Sequence, residues 1–75
     1  MTETNNTEII KKGIIELYSK YFGSITAKNY SEFYAHQDLP AVLSSANELF
    51  EEYAGETKGK EIINSIYTKY NIKPN

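Results

Sequence analysis

The chain has 75 residues, no cysteine and a formal net charge of −2 at pH 7. A domain of this length buries only about 60% of the surface of its unfolded chain, so its core is small. Without cysteine, disulfides and thiolate metal sites are excluded. All eight basic residues are lysine, which also excludes the bidentate recognition of phosphate or guanine by arginine.

The beginning of the chain is polar and carries no secretion signal. Residues 1–7 lack the basic start and the apolar stretch of a signal peptide. No run approaches the roughly 18 apolar residues that cross a bilayer. We therefore expect a cytoplasmic protein without a membrane span, whose residues 1–4 are frayed.

The first predicted helix covers about residues 6–22 and begins at a capping-box pattern, Asn5 with Glu8. Its main apolar stripe is Ile10, Ile14, Leu17, Tyr18 and Tyr21, widened by Ile9, Ile15 and Phe22. A helix that is apolar over so much of its circumference is expected to contact neighbours on two sides. Gly23 ends it, and a loop is predicted at residues 24–28.

A short second helix is predicted at residues 30–36. Pro40 would clash with the carbonyl of His36 in a continuous helix, and it biases Leu39 away from helical angles. Two helices are therefore favoured for residues 30–54, and one sharply bent helix is the alternative.

The clearest helical pattern is at residues 39–54. Its apolar residues recur three or four positions apart on one face: Leu39, Val42, Leu43, Ala46, Leu49, Phe50 and Tyr53. Pro40 stands just inside the start, where its missing N–H costs nothing. Gly55 stands just past the end, where a left-handed residue is wanted.

The last helix is predicted at residues 59–70, after a polar connection at residues 55–59 and before a tail at residues 72–75. Asn71 is its expected left-handed cap. Nothing alternates with period two for long enough to form a sheet, and no internal repeat is evident. Because short loops leave neighbouring helices antiparallel, the sequence predicts one all-α domain, a small antiparallel three-to-four-helix bundle.

Motifs for catalysis or cofactor binding are weak. Glu32 and His36 are four residues apart with Asp38 nearby, but a second pair of metal donors is missing. Residues 55–61 resemble a phosphate-binding loop only superficially, since three residues separate the glycines and no strand precedes them. With no thiol and no catalytic triad either, we expect no enzyme, no metal and no cofactor.

Nucleic-acid binding is also disfavoured. Residues 39–54 and 60–70 could form a helix-turn-helix, but the second helix offers only Lys60 and Lys69 as cationic anchors. The preceding helix is acidic, and the domain lacks the basic surface of a DNA-binding protein.

Acidic residues are concentrated at the end of the third predicted helix. The predicted acidic site is Glu48, Glu51, Glu52 and Glu56. Glu48 and Glu52 repel each other at i, i+4, and a helix C-terminus favours cations rather than carboxylates. One explanation is an exposed face partnered by Lys58 or Lys60. The functional alternative is a docking surface for a cationic protein or peptide.

Tyrosine is abundant, with seven residues in 75. A core this small cannot bury seven rings and satisfy every hydroxyl, so some rings are expected at an interface. The candidates, chosen because their helices are short or terminal, are Tyr30, Tyr34, Tyr67 and Tyr70.

These observations predict a small cytoplasmic binding protein that contacts a partner protein or peptide through an acidic, tyrosine-bearing surface. A more specific version is a bacteriocin-immunity-type protein or an inhibitor of a phage protein or toxin, where size and helical class are the only likeness. A self-associating structural subunit, a homodimer, is the alternative from another class. A DNA-binding regulator is less favoured.

Overall fold

The computed structural model describes residues 2–72, with side chains from Thr7 onward. These residues form four helices: α1 Thr2–Phe22, α2 Ser24–Tyr34, α3 Leu39–Ala54 and α4 Glu56–Lys69. The described residues contain no strand, and the predicted small all-α fold is confirmed. Packing divides the chain into two compact units, of which one ends at Val42 and the other begins at Leu43.

The first unit is built on a hairpin of α1 and α2, which pack against each other. Gly23 alone connects them, with φ 95° and ψ 162°, a backbone conformation that is essentially restricted to glycine. Its amide bonds the Ser19 carbonyl at 3.1 Å and so closes the end of α1. The buried side chains of this hairpin are Ile10, Ile14, Tyr18, Ala27 and Tyr34.

The second unit is built on a hairpin of α3 and α4 joined by Gly55 alone. The backbone of Gly55 has φ 93° and ψ 165°, so the positive φ expected there is confirmed. Gly59 of α4 lies directly against α3, since a Cβ placed on it would be 2.6 Å from the Cα of Glu51. The buried apolar residues here are Ala46, Phe50, Ile62, Ile63 and Ile66.

The break before α3 has a local cause. Residues 35–38 lie between the two helices, and the Asp38 Oδ1 atom accepts the Ala41 N–H at 3.2 Å, as an N-cap residue does. Pro40 occupies the first turn, where no intrahelical donor is lost. The prediction of two helices within residues 30–54 is confirmed, and α3 has the predicted bounds.

The connections are shorter than the sequence pattern predicts. The expected loop at residues 24–28 is the beginning of α2, because Gly23 alone reverses the chain and the next turn already buries Ala27. That helix ends at Tyr34 rather than His36. The expected loop at residues 55–59 is likewise a single glycine, and Glu56 already begins α4.

The ends of the chain also differ from the prediction. The first helix begins at Thr2 rather than near residue 6, and the predicted fraying of residues 1–4 stays a prediction. Ile9, assigned to the apolar stripe of α1, is 53% exposed, so that stripe is narrower than expected. Asn71 has φ 57° and is the left-handed residue predicted after α4. Of the predicted tail, residues 73–75 lie outside the described residues.

The two hairpins share a sequence pattern and a glycine connection, although no internal repeat is expected from the sequence. Residues 16–28 and 48–60 share the pattern Glu-Leu-aromatic-x-x-Tyr-x-Gly-x-x-x-small-Lys. The glycine connections have nearly equal dihedral angles. At the offset of 32 residues that separates Gly23 from Gly55, buried positions coincide: Tyr18 with Phe50, Ala27 with Gly59, and Tyr34 with Ile66. The chain therefore contains two helical hairpins of one pattern, here called the duplicated hairpin, and equivalent positions can be compared between them.

Candidate protein-binding surface

Two of the four candidate tyrosines belong to the interior of the first hairpin. Tyr34 is only 1% exposed, and its hydroxyl is 2.7 Å from that of Tyr18. The Tyr30 ring lies edge-on to the Tyr18 ring, with centroids 5.0 Å apart, and is half-buried. Burial, and then the bond to Tyr34, raise the pKa of Tyr18 well above its ordinary value. The prediction that Tyr34 lies at a binding surface is therefore wrong, because its ring is buried in the core of the first hairpin.

The other two candidates lie at the end of the second hairpin. Tyr67 is in the last turns of α4 and Tyr70 is its C-cap residue, and both are half-buried. The Lys69 ammonium is 5.4 Å from the centroid of the Tyr70 ring, within cation–π range. Both residues are partly exposed, and their contact with a partner stays a prediction.

Glu51 has a structural role within the second hairpin. Its Oε2 atom accepts a hydrogen bond from the Lys60 Nζ at 2.7 Å, which joins α3 to α4. This bond lowers the pKa of the Glu51 carboxyl and raises that of the Lys60 ammonium. The expectation that a lysine from the following segment pairs with the acidic residues is therefore confirmed for Glu51.

Glu56 also has a local reason to be acidic. It is the first residue of α4, where the helix dipole favours a carboxylate. Its charge adds to the field that raises the pKa of Lys60. The prediction that Glu56 lies at the unfavourable C-terminal end of α3 is therefore wrong, because Gly55 alone separates the two helices and Glu56 already begins α4.

Glu48 and Glu52 are the acidic residues that the fold does not explain. Both are exposed, they are one helical turn apart on α3, and neither forms an ion pair or hydrogen bond with the described residues. Like charges at this spacing cost about 0.2–0.5 kcal/mol. The equivalent positions in α1 are Glu16 and Lys20, which have opposite charges. The hairpin therefore does not require two carboxylates here.

An exposed aromatic residue follows this pair in the sequence. Tyr53 follows Glu52 in the last turn of α3 and is 55% exposed. Its spacing continues the apolar face predicted for residues 39–54, and burial by a neighbouring helix does not extend to it. The signal available in the sequence was its place in the final turn before Gly55, where the packed part of a helix ends. We call Glu48, Glu52 and Tyr53 the acidic surface.

No known protein family matches this chain, and no curated protein or solved structure matches it either. Across residues 2–72, no helix combines the length and the apolar character needed to cross a membrane. In that same part of the chain, no three metal-ligating side chains are grouped closely enough to hold an ion. The function must therefore be inferred from the geometry of the described residues.

Proposed function

We propose that this protein is a small cytoplasmic binding module that captures a cationic protein or peptide through the acidic surface. The observation that carries the proposal is the exposed pair Glu48 and Glu52, whose like charges have no counterion among the described residues. The duplicated hairpin supports it, because the first copy has Glu16 and Lys20 at the same positions.

A cationic partner would relieve the cost that the free protein bears. A lysine or arginine between Glu48 and Glu52 removes the repulsion along the helix face and replaces it with two charge-assisted hydrogen bonds. The exposed ring of Tyr53, the next residue after Glu52, offers a further apolar and cation–π contact of the kind enriched at interfaces. The uncompensated charge also speeds the encounter with a basic surface.

The duplicated hairpin supplies the decisive variant, Glu52→Lys, which gives α3 the charge pattern that α1 carries at Glu16 and Lys20. The variant should fold normally, since it replaces a repulsive pair by an attractive one. The matched control is Glu32→Lys, an exposed residue of α2 with the same change in net charge. We expect Glu52→Lys to lose the partner and Glu32→Lys to retain it.

The measurement is capture from native lysate on immobilised wild type, Glu52→Lys and Glu32→Lys, at low and high salt, with identification by mass spectrometry. Proteins that bind through the acidic surface should be lost at high salt, because the Debye length falls from about 10 Å at 0.1 M to about 3 Å at 1 M. The partner's association rate should then fall for Glu52→Lys alone. Identical captured proteins on all three baits, or salt-insensitive capture, would contradict the proposal.

One specific form of this function is immunity or inhibition, in which the cationic partner is a toxin, a bacteriocin-linked protein or a phage protein. Expression of the wild-type chain would then protect cells from that partner, and expression of Glu52→Lys would not. Protection by both chains equally would refute this form while leaving other partners of the acidic surface open to the capture experiment.

A second candidate function, self-association, is favoured by exposed apolar side chains on the first hairpin. Ile25 is 78% exposed and Phe33 is 58% exposed, both on α2. Burying such side chains between two copies removes apolar area from water at about 25 cal/mol per Å². Sedimentation over a range of concentrations tests this: a homodimer should dissociate more readily after Ile25→Ser, whereas a monomer at every concentration excludes it.

A further inference from the structure

A cleft lies between the two helices of the first hairpin. Its volume is about 300 Å³, and its walls include Lys11, Lys12 and Ile15 of α1 and Ser31, Tyr34 and Ala35 from the end of α2. This volume is at the lower end of the range for small-molecule sites, about 300–1,000 Å³. The walls combine apolar side chains with a few polar groups, as such sites do.

Lys11 is the unusual residue of this cleft. It is only 9% exposed, and it forms neither an ion pair nor a hydrogen bond with the described residues. Buried lysines are almost always paired, because desolvating an ammonium group is costly. Among the described residues, no fully buried side-chain nitrogen or oxygen lacks a partner, so the Lys11 ammonium is not sealed from water. Lys11 is one of the residues that line the cleft.

The second hairpin shows that the fold does not need this lysine. The position equivalent to Lys11 is Leu43, an apolar residue in the same place on the first helix of its hairpin. The position equivalent to Ala35 is Tyr67, a much larger side chain. The second hairpin thus has an apolar residue and a bulky residue at these two positions, whereas the first hairpin has a buried lysine and a small alanine beside the cleft. A role in ligand binding accounts for both differences.

We propose that the cleft binds a small monocarboxylate with an apolar body. The charged groups around it are Lys11, Lys12 and the carboxylate of Glu8, whose sum is one net positive charge that a single carboxylate neutralises. The Ile15 side chain and the Tyr34 ring provide apolar contacts for the rest of the molecule. A carboxylate at the Lys11 ammonium replaces water with a charge-assisted hydrogen bond, which is the stronger kind.

The test uses octanoate as the probe, with octan-1-ol and octylammonium as controls that keep the same chain and change only the head group. Nuclear magnetic resonance titration of isotope-labelled wild-type protein should show saturable octanoate shifts concentrated at Lys11, Ile15, Ser31 and Ala35. Octan-1-ol should bind at least roughly tenfold more weakly, given the usual strength of a hydrogen bond to a charged group. Octylammonium should not bind at this cleft.

Lys11→Met keeps the aliphatic stem and removes the charge, and we expect it to weaken octanoate binding by roughly tenfold or more. Lys28→Met is the matched control, because Lys28 is an exposed residue of α2 outside the cleft. Ala35→Leu fills the cleft without removing any charge and should also abolish binding. Circular dichroism of each variant verifies that it is folded.

Three outcomes would overturn the proposal. The first is the absence of saturable shifts in folded wild-type protein. The second is equal binding of octanoate by wild type and a folded Lys11→Met variant. The third is equal binding of octanoate and inorganic phosphate, which would show that the apolar walls add nothing. None of these results bears on Glu48 or Glu52, so this inference and the proposed function are tested separately.

Discussion

Gly59 gives the most direct test of how the second hairpin is built. In Gly59→Ala, the new Cβ would lie 2.6 Å from the Cα and 2.7 Å from the N of Glu51, and 2.8 Å from the backbone carbon of Phe50. Carbon atoms in contact are about 3.5–4.0 Å apart, so α3 and α4 must separate locally by about 1 Å. The obstructing atoms are backbone, and a change of side-chain rotamer cannot relieve the overlap.

Two effects of Gly59→Ala oppose each other. Alanine is favoured over glycine inside a helix by about 0.8–1.0 kcal/mol, whereas overpacking costs about 1–3 kcal/mol. Because three backbone atoms are overlapped, we take the upper part of the overpacking range and expect a net loss of about 2 kcal/mol. For a domain of this size, that corresponds to a decrease in Tm of about 8–16 °C.

The assay is urea unfolding followed by circular dichroism, with the free energy of unfolding compared at unchanged m-value. Asn64→Ala is the control, because Asn64 is exposed in the same helix and alanine there should stabilise by up to about 0.7 kcal/mol. A Gly59→Ala variant as stable as wild type would refute the reasoning. It would show that this hairpin widens freely to accept the alanine that the first hairpin carries at Ala27.

Three further predictions follow from backbone geometry and from the pKa shifts. In Gly23→Ala the new Cβ has no atom within 4 Å, but the alanine must adopt φ 95°. The free energy of unfolding of this variant, measured in urea, should therefore be lower than that of the wild type by about 1–3 kcal/mol. Burial raises the pKa of Tyr18 in the folded chain, so above about pH 10 the hydroxyl ionises more readily in the unfolded chain. The free energy of unfolding should therefore be constant below about pH 10 and decline above it. Tyr18→Phe should make that decline shallower in alkaline unfolding curves. The hydrogen bond from Lys60 lowers the pKa of the Glu51 carboxyl in the folded chain. The ionised Glu51 side chain therefore stabilises the fold at pH values above the ordinary carboxyl pKa, and this stabilisation is lost as the pH falls through the lowered pKa of the folded chain. Titration by carboxyl-carbon nuclear magnetic resonance should show this low pKa, and Lys60→Met should return it toward the ordinary range.

Because the hairpin pattern occurs twice, equivalent positions can be compared within one chain. Positions that keep the same character in both copies, such as the two connecting glycines and the aromatic residues Tyr18 and Phe50, serve the hairpin itself. Positions whose residue type differs between the two hairpins are not fixed by the hairpin fold. Lys11 and Glu52 are two such positions. Both proposals about this protein rest on such differences, because the fold alone offers no reason for the charge at either place.

The sequence by itself determined the helical class and the third helix. The apolar spacing within residues 39–54, Pro40 near the start and Gly55 after the end are local signals, and α3 has the predicted bounds. The break before Leu39 was also predictable, because the steric effect of proline acts on its immediate neighbours. Signals of this kind need no knowledge of what packs against the helix.

Tertiary structure decided the connections and the composition of the candidate sites. A glycine-containing polar segment is predicted as a loop, yet Gly59 lies within α4. Glycine is required there because α3 approaches its backbone too closely for any Cβ. Tyr34 is buried, Tyr53 is exposed, and Lys11 faces a cleft. Helical periodicity reports which residues share a face. How far along that face a neighbouring helix extends depends on residues distant in the chain, and this determines which side chains are covered.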